Sequence, residues 1–71
     1  MKNTFVVDFD TKECVGIINF IPRREERVVL SEKEYKVKCV VYDPKERSVL
    51  VFVNMVDNYY SALFKDIKWN L

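Results

Sequence analysis

Hydrophobic residues recur at every second position in short runs over the first 56 residues, and polar clusters separate the runs. That period is the mark of β-strands with one buried face. Over residues 4–9, Phe5, Val7 and Phe9 share a side. Asp10-Thr11-Lys12-Glu13 follows as a polar turn, with an aspartate able to accept hydrogen bonds from its own backbone. Residues 14–21 return as a second strand and complete a hairpin. Within it, Gly16 marks a bulge or a close backbone approach. Pro22 cannot donate to a ladder and ends regular pairing. Arg23-Arg24-Glu25-Glu26 is a charged connection, residues 27–30 a short third strand, and Ser31-Glu32-Lys33-Glu34 a turn. Residues 35–42 alternate most clearly. Strict alternation puts Tyr35, Val37, Cys39 and Val41 on one side and Lys36, Lys38, Val40 and Tyr42 on the other. Asp43-Pro44-Lys45-Glu46-Arg47 is a proline turn. Residues 48–56 form the last strand, where Val49 to Val53 are apolar without a break, as in a central strand covered on both faces.

Beyond Met55 the period changes. Tyr60, Leu63, Phe64, Ile67 and Leu71 recur at helical spacing, with Lys65, Asp66 and Lys68 on the opposite side. Asp57 or Asn58 supplies an N-cap. The pattern predicts a helix over about residues 58–68. Residues 1–71 then read as one mainly β (α+β) domain. About five antiparallel strands make a small barrel or bent sheet, and one C-terminal helix plugs or covers it. The alternative is an open sheet with the helix across one face.

Composition narrows the function classes. Hydrophobic residues make up 49% of the chain, which suits a packed core rather than a disordered tail. Net charge is +1, so a nucleic-acid site would have to be a local patch. No segment approaches the ~20 apolar residues of a membrane span. The first residues run straight into strand alternation rather than a signal peptide. With only two cysteines, Cys14 and Cys39, the expectation is a cytoplasmic protein with reduced thiols.

The chain has no histidine, hence no common general base near neutral pH and no usual zinc ligand. Cys14 and Cys39 lack the spacing of a redox pair and alternate with apolar residues, so both are expected to be buried and inert. Asp8 with Asp10, Glu25 with Glu26, and Glu32 with Glu34 read as solvated turn charge rather than metal ligands. One glycine excludes a glycine-rich phosphate loop. The expectation is a protein that is not an enzyme and has no catalytic residue, metal or cofactor.

Two surfaces remain. Lys36, Lys38 and Tyr42 fall on one side of a strand, and Arg23, Arg24 and Arg27 precede it. Basic groups beside an aromatic on a β-surface are how small barrels hold single-stranded nucleic acid. Glu25, Glu26, Glu32 and Glu34 interleave with them and oppose that field. Tyr59, Tyr60, Phe64 and Trp69 crowd the C-terminal segment, and tyrosine and tryptophan are typical protein-binding hot spots.

The run Ile21-Pro22-Arg23-Arg24-Glu25-Glu26-Arg27-Val28-Val29-Leu30, with Tyr35-Lys36-Val37-Lys38-Cys39-Val40-Val41-Tyr42-Asp43, resembles a core written PRxGExVxL and then xYxVxxVxxD. That core belongs to small phage and bacterial proteins with SH3-like barrels, many of unknown function. The resemblance covers about a third of the chain, with Glu25 and Lys33 where glycines would be expected. It implies an SH3-like fold and a phage or mobile-element origin, which would place the protein in the host cytoplasm. It defines no functional residue. The function expected is therefore a small protein-binding module, such as an accessory or inhibitor protein acting on an unidentified host protein, through a sheet edge or the C-terminal aromatics. Self-pairing of an edge into a homodimer is a further expectation. The alternative is single-stranded nucleic-acid binding through Arg23, Arg24, Arg27, Lys36, Lys38 and Tyr42.

Overall fold

The computed structural model describes residues 3–56 and 66–70. Five strands follow the hydrophobic runs: β1 (Asn3–Asp8), β2 (Cys14–Ile18), β3 (Arg27–Leu30), β4 (Lys33–Asp43) and β5 (Ser48–Met55). They form one sheet in the order β2-β1-β5-β4-β3, curled into a half-barrel. The run of apolar residues in β5 does sit at the centre, between β1 and β4. The expected all-antiparallel arrangement fails at one place. β1 and β5 run parallel, with Phe5 beside Leu50 and Val7 beside Phe52. Parallel neighbours need a long crossover, and the whole β2–β3–β4 excursion provides it.

The expected second strand of residues 14–21 is cut short, because the chain bends at Asn19 and Phe20 ahead of buried Pro22. Residues 58–65 of the expected helix lie outside the described residues. Asp66 is in a turn and residues 67–70 are irregular, so no helix occurs among the described residues. Among the described residues there is accordingly no helix long and apolar enough to cross a membrane.

The inner face of the sheet carries the core. Val6 of β1, Val49, Val51 and Val53 of β5, Tyr35 and Val37 of β4, and Val28 of β3 are all buried. Val15, Ile18, Leu30 and Val40 pack against them. Curling brings the two edge strands toward each other across this face. A Cβ placed on Gly16 of β2 would stand 3.2 Å from Leu30 Cδ1 of β3. Glycine leaves room there for the leucine of the opposite edge.

Two bulges adjust the faces. In β2 the register skips Val15, beside Gly16. In β4 it passes from Val37 opposite Val53 directly to Cys39 opposite Phe52, leaving Lys38 as the extra residue. A one-residue insertion flips every later side chain to the other side. Strict alternation through residues 35–42 is thereby overturned. Val40 and Tyr42 join Tyr35 and Val37 on the inner face, while Cys39 and Val41 join Lys36 on the outer one.

Turns use polar residues in left-handed conformations. Ser31 and Glu32 have φ of 51° and 64°, and Leu30 pairs with Lys33 around them. Two residues with positive φ make the primed hairpin turn whose twist matches the strands. Lys12, Glu25 and Arg47 are also left-handed.

Candidate functional site

A groove opens beside the β3 edge. Its volume is about 550 Å³, and Ile18, Phe20, Pro22, Val28, Val29 and Leu30 line it, with Glu26 and Arg27 as its polar members. The bend after β2 carries Phe20 out over this groove, where it is 53% exposed, and leaves Ile21 and Val29 exposed nearby. β3 is a terminal strand of the sheet, so Arg27–Leu30 offers an unpaired backbone edge among the described residues. Size and lining fall in the range of ligand-binding clefts, mostly apolar with few polar groups. Of these residues, the basic-patch reading had singled out only Arg27. The signal available in sequence was the proline-ended strand with Phe20 and Ile21 beyond any ladder.

The expected basic patch does not assemble. Arg27 Nη1 lies 2.7 Å from Glu34 Oε2, and that carboxylate is buried with 4% of its side chain exposed. Lys36 Nζ lies 2.9 Å from Glu25 Oε2, and Arg24 Nε lies 3.7 Å from Glu25 Oε1. The Lys36 hydrogen bond and charge, with Arg24 adding to them, hold the Glu25 carboxyl below its ordinary value. The Glu26 carboxylate accepts from the Arg23 backbone N–H. Glu25 and Glu34 therefore pair with three of the cations, Arg24, Lys36 and Arg27. Tyr42 is exposed, but the β4 bulge places it opposite Val49, on the other face from Lys36.

Lys38 instead meets a partner that sequence reasoning missed. Its ammonium stands 4.6 Å from the centre of the Phe9 ring, and that of Lys12 stands 3.8 Å from the same centre. Lys12 also donates to the Phe9 carbonyl oxygen. Phe9 in turn meets Phe52 edge to face, with centroids 6.1 Å apart. Cation–π attraction and aromatic pairing hold the group together. Nothing in the alternation marked it, because it depends on a left-handed turn residue and a bulge.

Of the C-terminal aromatics, Tyr59, Tyr60 and Phe64 lie outside the described residues, and Trp69 is 58% exposed. The two thiols are free. The expectation of two buried cysteines is corrected for Cys14, which is exposed because β2 is an edge strand, while Cys39 is partly covered. Asp8 is absorbed by its turn, accepting from the N–H groups of Asp10 and Thr11. Asp10 accepts from the Asn54 amide at 3.4 Å. Among the described residues no three acidic or cysteine side chains cluster as a metal site would require.

No family model matches the chain, and neither a curated protein nor a solved structure matches it.

Proposed function

We propose that this protein is a non-enzymatic binding module that captures an extended, apolar segment of another protein. The observation that carries this reading is the groove of about 550 Å³ lying along the β3 edge, which is unpaired among the described residues. An extended peptide laid there pairs its backbone with Arg27–Leu30, while alternate side chains enter the space between Phe20, Pro22 and Val28. Backbone pairing supplies affinity, and the apolar pockets supply selectivity. The same edge is able to pair with a second copy of the chain, so a homodimer is the competing occupant.

The test is affinity capture from cell extract with the wild type and with two outward-facing variants, Phe20→Asp and Val29→Asp. A bound protein lost from both variants supports the groove, as does slowed amide hydrogen exchange across Arg27–Leu30 in the complex. A partner retained equally by all three proteins rules the groove out. Light scattering on the isolated chain separates self-pairing from capture.

A further inference from the structure

We propose that Lys12, Lys38 and Phe9 form a phosphate anchor for single-stranded nucleic acid on the outer face of the sheet, a site separate from the β3 groove and independent of it.

Three features of the structure converge on that site. First, two backbone irregularities far apart in sequence aim the lysines at one ring. Lys12 takes φ of 65°, a conformation an L-residue adopts at some cost, and its ammonium thereby folds back over Phe9. Lys38 is the extra residue of the β4 bulge, a device that re-aims a side chain. Regular alternation also puts Lys38 on the side away from Tyr35 and Val37, and as the bulged residue it meets the Phe9 ring there.

Second, neither ammonium has an ion-pair partner among the described residues. Every ion pair among the described residues involves Arg24, Arg27 or Lys36, and none involves Lys12 or Lys38. Asp8 accepts from turn N–H groups and Asp10 from Asn54, and neither these two nor Glu13 is in an ion pair with Lys12 or Lys38 among the described residues. Two like charges over one ring repel each other, and the ring quadrupole offsets that only in part. Both ammoniums lie within 4.6 Å of the ring centre, so the backbone of a strand passing over Phe9 meets two cations, each able to make charge-assisted bonds of about 2.8 Å to phosphate oxygens.

Third, the surroundings suit a nucleotide. Phe9 packs against Phe52, Val7 lies beside Phe52, and Phe5 lies two residues along β1, all half-buried on the same open face. Aromatic rings on a sheet next to backbone-binding cations are the arrangement that accepts unpaired bases. Phosphopeptide sites are built instead on arginine clusters, and the arginines placed with glutamates here lie on the β3 side.

The experiment uses the full chain and a fluorescein-labelled oligothymidine of about 12 nucleotides, a length in the range one small β-domain covers. Anisotropy is read at low and moderate salt. Binding should be micromolar at low salt and should weaken as salt rises, with a slope of roughly 0.7 per phosphate contact. Lys12→Gln with Lys38→Gln should weaken it about tenfold at low salt and flatten the slope. Lys38→Arg, which keeps the charge, should retain it. The thermal midpoint of each variant reports folding. Should Lys12→Gln disturb the turn, Lys38→Gln alone, at an exposed bulge, carries the test. Absence of binding at low salt overturns the proposal, as does binding that the double variant leaves unchanged. A phosphoserine peptide or inorganic phosphate that binds while the oligonucleotide does not also overturns it.

Discussion

The inner and outer faces of this sheet are both apolar, yet they are built from different residues. Valine dominates the inner face: Val6, Val28, Val37, Val49, Val51 and Val53 are buried there, with Tyr35 the one large side chain among them. Short β-branched residues suit the concave side of a curled sheet, where strands converge and space is scarce. The outer face carries Phe5, Leu50 and Phe52, half-buried, and Ile17 and Val41, exposed. Register links Ile17, Phe5, Leu50 and Val41 into one row across four strands. Curvature separates the side chains on this side, so larger residues fit without closing over each other. The inner face is thus where stability resides, and the outer face remains accessible for contact.

Truncating one valine on each face should expose this difference most strongly. Val51 is flanked by Val6 and Val40 and is wholly buried. Val51→Ala should cost about 2–3 kcal/mol and lower Tm by roughly 10 °C or more in a domain of this size. Val41, 43% exposed at the end of the outer row, should cost under about 1 kcal/mol when changed to alanine. Thermal melts of the two variants measure the contrast. Equal losses would mean that the outer face is as closed as the inner one.

A similar asymmetry lies within one ion pair of the β3–β4 hairpin. Glu34 is buried, while the Arg27 side chain that meets it is 52% exposed. Removing the arginine strands a buried carboxylate, whereas removing the charge of the glutamate leaves an arginine that water can reach. Arg27→Ala should therefore destabilise by about 1–3 kcal/mol, and Glu34→Gln by less. Denaturant unfolding of both variants decides it. The reverse order would show that water reaches Glu34 when Arg27 is gone. Arg27 also borders the proposed peptide groove, so folded Arg27 variants report on capture as well.

How much of this was legible in the sequence varies with the scale of the feature. Alternation located all five strands, because period two survives wherever one face is buried. The run Val49 to Val53 marked β5 as central, and β5 is indeed flanked by β1 and β4. The parallel β1–β5 pair was not legible, since the choice between parallel and antiparallel neighbours depends on contacts distant in sequence. Nor was the bulge at Lys38, which no proline or glycine announces. That single residue separates Tyr42 from Lys36, and its own side chain meets Phe9. The interleaved glutamates, by contrast, were visible from the start, and their pairing with Arg24, Arg27 and Lys36 is what disperses the expected basic patch.

Glu25 sets two of these effects against each other and gives the smallest test. Its φ of 74° is a conformation that glycine adopts freely and an L-residue does not. Its carboxylate also receives Lys36. The carboxyl is fully exposed, so solvent screens the pair and its contribution is small. Relief of the backbone should win, and Glu25→Gly should raise Tm slightly near neutral pH. Acid sharpens the prediction. Because Lys36 holds the folded-state Glu25 carboxyl below its ordinary value, the pair stabilises the wild type above that value and ceases to as pH falls through the folded one. The glycine variant has no such pair to lose. Its advantage over the wild type should widen between neutral pH and the acid side of the glutamate range, as paired thermal melts across that interval would show. A glycine variant less stable than the wild type at neutral pH, with the gap closing in acid, would mean that the ion pair outweighs the strained turn.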